Sequence, residues 1–442
     1  MTLTKKPLAL VVASLSALVL TACGAAPGSD SSSASTDDDA AVSAAEELGM
    51  DLADCPAGVT EPLPAEANVG LTLPLTGGPA TAFAVLGPGA QAALEEANAT
   101  AGLDTSFNVI QKDDQFLPDK TLAATQELVQ KDQVVAMTAV VGTAGVMAIR
   151  DILREDCVPG VSMAAGGVGA IDPEYPEIVQ GVVPFTLDAR IWVEAVNERY
   201  PDGAKIATFI GNTESGKDYG EQIDRWLEET GSASEIVSAE TIEAADAASP
   251  SSQVTTMRNS GADVLFAAPT GGQCISMLTE MANQGWEPET FLTTNCASST
   301  YFGAAGPAAD GVQTVQSFKD INSPRFAGDE GIAAVRDALT EYAPDADVEN
   351  TTTYSGYFYA ETLVEAAKAA AESDLGLSQL GIIYAARHLD FHSPLLIDGV
   401  DFTVNGTEDM VPIEAAELNT WSVDDGGFVQ GELYDFEGEL TE

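Results

Sequence analysis

Val69 to Asn98 reads VGLTLPLTGGPATAFAVLGPGAQAALEEAN. It begins as a short apolar run, Val69 to Leu73, breaks at Pro74 and passes through Thr76-Gly77-Gly78-Pro79. After a second break at Gly87-Pro88-Gly89 it turns Ala-rich, with Ala92, Leu94 and Ala97 set among Gln91, Glu95 and Glu96. A strand, a glycine loop and a helix in that order form the opening unit of a parallel α/β sheet. Ligands of such sheets sit beyond the carboxyl ends of the strands, which makes Thr76 to Leu86 a candidate binding loop. A second unit follows: a strand from Phe107 to Ile110, then Lys112-Asp113-Asp114-Gln115 and Pro118, then a helix from Asp119 to Lys131.

The same rhythm continues down the chain. Val134 to Val141 (VVAMTAVV) is a continuous apolar run, as a central parallel strand requires. Gly142-Thr143-Ala144-Gly145 opens a helix to about Asp156, with Thr143 as its N-cap and its free N–H groups facing the strand ends. A strand from Val158 to Met163 ends in Ala164-Ala165-Gly166-Gly167-Val168-Gly169, small enough to let backbone approach a ligand. Gly181 to Phe185 reads as a crossing segment. Beyond it the pattern restarts with a helix from Asp188 to Arg199 and strands at Lys205–Ile210, Glu235–Ser238, Asp263–Ala268 and Phe291–Thr294. Helices at Tyr219–Thr230, Ser252–Ser260 and Gly272–Gln284 alternate with them. Val312 to Phe318 crosses back to helices at Gly328–Tyr342 and Thr353–Glu372, and Leu418–Val423 and Gly427–Leu433 close the chain. The duplicated rhythm predicts two similar α/β lobes.

The glycine loop after the first strand and the strand–DD–x3–P–helix order resemble the type I periplasmic binding proteins. The likeness is to the branched-chain amino acid and amide receptors of ABC transporters, from about Asn68 to Tyr434. It implies two three-layer lobes with parallel sheets joined by a three-segment hinge. Lobe one would hold 51–187 and 314–413, and lobe two 188–313 and 414–436. It also implies a monomeric binding protein rather than an enzyme, without a cofactor, which closes over a small-molecule ligand and hands it to an ABC permease. Carried over by resemblance, the cleft comprises Phe83, Val141, Gly142, Thr143, Ala164, Ala165, Gly166, Tyr219, Thr270 and Asn295. Tyr219-Gly220 matches the family's Tyr-Gly pair, whose ring covers the ligand, and Ser393 to Thr403 matches its strand pair near the hinge.

Two departures bear on the ligand. The family places a carboxylate for an α-ammonium where Asn295 stands, and Gly166 replaces the usual hydroxyl. An ammonium buried without a counter-charge costs several kcal/mol, whereas Asn295 offers a neutral polar group both an acceptor and donors. The expectation is a ligand with a carboxylate or amide and an apolar body but no free α-amine, such as an organic or aromatic acid. A sensory receptor of the same fold, docked to a signalling partner, is the alternative reading. A secreted α/β hydrolase is a more distant one.

Other motifs resolve against catalysis. Gly211 to Lys217 matches GxxxxGK, but Asp218 stands where a P-loop needs Ser or Thr to hold magnesium. Gly87-x-Gly89-x-x-Ala92 lies too far beyond its strand for a dinucleotide fingerprint and reads as a helix start. His388 and His392 have the spacing of one helical face but no third ligand nearby, so they read as a solvated or packed pair and no metal is expected. No GxSxG, HExxH or Cys–His constellation is present. Trp192, Trp226, Trp286 and Trp421 fall on core patterns.

The amino end carries a targeting segment. Lys5 and Lys6 precede an apolar stretch from Leu8 to Leu20, and Leu20-Thr21-Ala22-Cys23 resembles a bacterial lipobox. Residues 1–22 read as a signal peptide and Cys23 as the lipidated residue, anchoring the protein on the outer face of the cytoplasmic membrane. Residues 23–50, rich in Ser, Ala and Asp, read as a flexible tether. Four cysteines remain, and an even number in an exported chain suggests two disulfides. Cys55 and Cys157 fall at the amino edge of lobe one, Cys274 and Cys296 at the carboxyl edge of lobe two. The expected bridges are therefore Cys55–Cys157 and Cys274–Cys296.

Sixty-nine acids against 18 Lys and Arg give a net charge of −51, and loss of the signal peptide with Lys5 and Lys6 makes it more negative. The acids are scattered, which fits a solvated surface and excludes nucleic acid as a partner. Solubility in a salty habitat accounts for this best. Screening relieves self-repulsion, so the melting temperature is expected to rise from low to molar NaCl. A flat or falling trend in a thermal melt series would refute the salt-habitat account.

Overall fold

The computed structural model describes residues 36–243 and 249–440; the signal peptide and Cys23 lie outside the described residues. In chain order the first elements are α1 (Thr36–Glu47), β1 (Glu66–Leu73), α2 (Ala80–Phe83), α3 (Leu86–Thr100), β2 (Ser106–Asp113), α4 (Pro118–Gln130), β3 (Val134–Thr138), α5 (Thr143–Glu155), β4 (Gly160–Met163) and β5 (Ile178–Gln180). Their five strands form a wholly parallel sheet in the order β2-β1-β3-β4-β5. The Gly87-Pro88-Gly89 break proves to be the first turn of α3, where proline's fixed φ and missing N–H are tolerated.

The chain then builds α6 (Phe185–Arg199), β6 (Lys205–Gly211), α7 (Glu214–Glu229), β7 (Glu235–Ile242), α8 (Ser251–Ser260), β8 (Val264–Ala268), α9 (Gly272–Gln284), β9 (Glu289–Leu292), α10 (Ser299–Ala305) and β10 (Gln313–Gln316). It returns through α11 (Glu330–Tyr342), α12 (Thr351–Glu372), α13 (Gln379–Ala386), the two-stranded pair β11 (Asp390–Phe391) and β12 (Phe402–Thr403), and finally β13 (Ala415–Ser422) and β14 (Gly427–Asp435). The second sheet runs β7-β6-β8-β9-β10-β13-β14, parallel until the antiparallel β13 and β14 close it. Its first five strands repeat the order of the first sheet. The two lobes are thus one doubly wound unit used twice, as the rhythm implied.

Both sheets are covered by helices, so the strands are buried on both faces. Val69, Leu71 and Leu73 of β1 and Leu265, Phe266 and Ala267 of β8 are fully buried. All four tryptophans are core residues. The two histidines do not share a helix, because α13 ends at Ala386. His388 Nε2 lies 3.0 Å from Glu47 Oε1 and His392 Nδ1 lies 2.9 Å from Asp401 Oδ1.

The expected tether is corrected over residues 36–47, which form α1. Ala41 and Ala45 pack with Val59, Cys157 and Leu380, and Glu47 accepts a hydrogen bond from Tyr384 at 3.0 Å. A face of small alanines carries little apolar signal alone, and α13 completes it.

Both expected disulfides are present. Cys55–Cys157 has a Cα separation of 5.5 Å and spans 102 residues; Cys274–Cys296 has 6.2 Å and spans 22. Cross-linking stabilises mainly by restricting the unfolded chain, which predicts a loss of about 5 kcal/mol without the first bridge and about 3 kcal/mol without the second. Denaturant melts of the two double Cys→Ala variants test that ranking, and the reverse order would refute it.

Candidate functional site

Doubly wound sheets bind ligands where the strand order reverses. In lobe one that point lies between the carboxyl ends of β1 and β3; in lobe two it lies between those of β6 and β8. Loops from these four ends build the site.

In lobe one the Asp113-Asp114 pair shapes the loops through hydrogen bonds. Asp113 accepts from the Thr76 hydroxyl and from the N–H groups of Leu75 (2.9 Å), Thr76 (3.1 Å) and Gln115 (3.1 Å). The Thr76 hydroxyl, foremost, holds this carboxyl down to about 2. Asp114 accepts from Phe116 N–H at 2.9 Å and Thr121 Oγ1 at 3.3 Å, fixing Gln115 and Phe116 at φ 53° and 60°. These bonds offset the penalty of two left-handed non-glycine residues. Phe116 is thereby aimed at Phe83, with ring centroids 5.7 Å apart, and at Gly142. At Gly142 φ is 91° and an added Cβ would stand 2.9 Å from the Phe116 ring, so glycine is required twice over.

Gly142, not Thr143, is the N-cap of α5. The buried Thr143 hydroxyl instead accepts from Gly167 N–H at 3.2 Å and from Ser215 Oγ of lobe two at 3.5 Å. Val141 and Ala164 form a parallel bridge. Gln180 Nε2 donates to the Ala165 carbonyl, and Phe185 N–H donates to the Gly166 carbonyl at 2.8 Å. A Cβ on Gly166 would lie 2.3 Å from the Phe185 ring. The structure therefore brings together Phe83, Val141, Gly142, Thr143, Ala164, Ala165 and Gly166 around one crevice.

Lobe two departs from the expectation. α7 starts at Glu214, five residues before the predicted start, because Thr213 caps it by accepting from Gly216 N–H at 3.1 Å. Tyr219 consequently lies in its second turn and is packed away at 2 % exposure. Its ring stacks between Phe185 (4.4 Å) and Trp192 (5.8 Å). Its hydroxyl donates to Asp188 Oδ2 at 2.7 Å and contacts the Thr293 hydroxyl. The ring supports the crossing segment rather than covering an open cleft. Thr270 is exposed beside the end of β6, its N–H held by Gln273 Oε1 at 3.2 Å. Asn295 is exposed, and it is the adjoining Thr293 that points inward.

Two acids that resemblance had not singled out flank Tyr219. Asp218 accepts from Val168 N–H of lobe one at 3.4 Å, and burial pushes it up to about 6. Asp188, fully buried in the first turn of α6, also accepts from Thr294 N–H at 2.9 Å, and burial pushes it up to about 7. Both had sequence positions next to noted motifs, but their burial is a tertiary property. A separate concavity lined by Arg190, Arg225, Trp226, Glu229, Thr230 and Glu439 sits at the other end of α7. Its arginines are already paired with Glu439 and Glu229.

A profile of the periplasmic binding protein family matches residues 66–413. The Leu/Ile/Val-binding protein homolog 2 of Brucella abortus is 25% identical over 326 residues, covering 70% of this chain and 80% of its own. A branched-chain amino acid ABC transporter protein from Thermus thermophilus, solved with bound valine, superposes with a TM-score of 0.74 at 17% identity, covering 84% of this chain and 96% of that one. A solute binding protein from Rhodopseudomonas palustris BisB5, in complex with 3,4-dihydroxy benzoic acid, gives 0.69 at 19% identity, covering 85% and 98%. At these identities the structural likenesses show the fold.

The buried Asp188 sets a pH dependence. An unfolded Asp ionises near pH 4, whereas the folded group keeps its proton to about 7, so folding loses stability as pH rises through that window and stays weaker above it. The stability of the wild type relative to Asp188→Asn should fall by about 2–4 kcal/mol between pH 4.5 and 8. Denaturant titrations that give a level difference would refute this.

Proposed function

Because this chain belongs to the periplasmic binding protein family, we propose that it is a lipid-anchored receptor that captures a small solute between its lobes and delivers it to an ABC permease. The observation that carries the reading is the facing of the two switch-point crevices, with α5 of one lobe and α7 of the other meeting at Thr143 and Ser215. The free N–H groups of the first turn of α5 suit a carboxylate or amide of the solute, and Phe83 and Phe116 suit an apolar body. Amino acid-like compounds, amides and organic or aromatic acids fit that description.

Lobe one is taken as 51–187 and 314–413 and lobe two as 188–313 and 414–436, so three crossings act as the hinge. The second crossing is stitched to its neighbours: Lys319 N–H donates to Leu395 O and Ile397 N–H to Ser317 O, each at 2.9 Å, while Ser317 Oγ donates to Ala415 O at 2.8 Å. Closure about such a hinge is driven only by contacts that the solute makes in the closed form. The permease would recognise that form. The likeness of Leu20 to Cys23 to a lipobox supports an anchor at Cys23, and among the described residues no helix is long and apolar enough to cross a membrane.

Incubation of the mature protein with mixed metabolites, followed by native mass spectrometry, should find one unaltered small molecule per chain. Chemical conversion of that molecule, or none bound, would refute solute capture. Detergent phase partitioning should place the native chain in the detergent phase and Cys23→Ser in the aqueous phase; equal partitioning would refute the anchor.

A further inference from the structure

The face of α7 that meets lobe one is a row of acceptors. Asp218 is 8 % exposed; its Oδ1 accepts from Val168 N–H, and its Oδ2 accepts no hydrogen bond. One helical turn on, Gln222 is 6 % exposed and its Oε1 also accepts none. On the lobe-one side, the buried Gln180 donates Nε2 to the carbonyls of Ala165 and Gly167, leaving its own Oε1 unpartnered. Gln180 and Asp218 thus grip residues 165–168 of the same loop. Behind Tyr219, fully buried Asp188 leaves Oδ1 unpartnered as well.

The charges nearby do not complete this set. Lys217, next to Asp218 in sequence, turns to Glu214 Oε1 at 2.5 Å on the exposed side of α7. Glu221 adds repulsion to Asp218. Among the described residues no Lys, Arg or His pairs with Asp218. One unpartnered donor is close, Trp192 Nε1, but it belongs to the ring stacked beneath Tyr219. Buried carboxylates are retained where something supplies the missing hydrogen bonds and charge.

We propose that Asp218, flanked by Gln222 and Gln180, is the subsite for a cationic nitrogen of the solute, and that this acid selects an amine-bearing ligand. The inference rests on the solute-capture reading above and reverses the ligand expectation drawn from Asn295. An ammonium brings three N–H donors and a positive charge, which match free amide and carboxylate oxygens. An anion placed there would meet lone pairs with lone pairs. A neutral amide would supply donors but leave the Asp218 charge unbalanced. Asn295 is exposed and so does not decide the ligand's charge, whereas Asp218 lies between the lobes.

The test uses the full mature chain and compounds that differ only in the amine: leucine against 4-methylpentanoate, and phenylalanine against 3-phenylpropanoate, by calorimetry. In parallel, the small molecule released from protein purified from its host is identified by mass spectrometry and titrated back. The expected result is a bound compound with a basic nitrogen, a deaminated counterpart at least 30-fold weaker, and a similar loss for Asp218→Asn. Gln222→Leu should weaken the amine-bearing compound several-fold and leave its deaminated counterpart unchanged, which keeps the test decisive should Asp218→Asn misfold. Tight binding of a compound without basic nitrogen, or an amine preference that survives Asp218→Asn, overturns the proposal. If neither class binds and nothing is released, solute capture itself fails, and this proposal with it.

Discussion

The contact of the Phe185 ring with Gly166 is the constraint on which the rest of the site depends. A side chain at 166 would place its Cβ 2.3 Å from that ring, and the Phe185 N–H is already donated to the Gly166 carbonyl. The loop after β4 is thereby fastened to the first residue of α6, where the chain leaves the first sheet for the second. From Phe185 the stack continues to Tyr219 and Trp192, and the Tyr219 hydroxyl ends on Asp188. One line of contacts therefore runs from the lobe-one loop into the lobe-two core. Aromatic stacks of this kind combine large apolar burial with a fixed geometry, so the crossing is a stiff strut rather than a slack connection.

Much of this was legible in the chain. Each parallel strand is an uninterrupted apolar run, and the bounds of α9 follow from Gly272 and Gly285 as written. The disulfide pairing followed from placing cysteines on sheet edges. Asp113 and Asp114 stood out as a motif, but their work, holding Phe116 left-handed over Gly142, needed coordinates. What was not legible has a common physical cause. Tyr219, Asp188 and Asp218 owe their roles to burial, which a single chain does not display. Helix α1 offers only alanines until α13 lies beside it, and β5, three residues long, is too short to show a period. Asp218 drew notice only as the wrong residue for a phosphate loop, although that same position puts a carboxylate between the lobes.

The charge imbalance makes the placement of each base informative. Arg387 is fully buried and donates to the carbonyls of Pro176, Tyr175 and Ile178, and burial lowers it to about 10. Its role is to tie α13 to the entry of β5. Arg325 forms a two-pronged pair with the buried Glu417, and Lys319 pairs with Asp329 at 3.0 Å. With so few bases committed to such structural posts, the acids facing the cleft have no resident counter-ion from the protein. In a chain this acidic the missing partner has to come from outside.

The two halves of the cleft are therefore complementary in kind. Lobe one presents the start of α5, whose first-turn N–H groups and helix dipole favour negative charge. Lobe two presents α7, whose own first turn is capped by Thr213 and whose inner face offers Asp218 and Gln222. A helix start that faced another helix start with both left bare would repel it. The acid on α7 removes that conflict and gives the second lobe the opposite preference. A solute with one group of each polarity would bridge both faces only when the lobes are together, which is the differential contact that hinge closure requires.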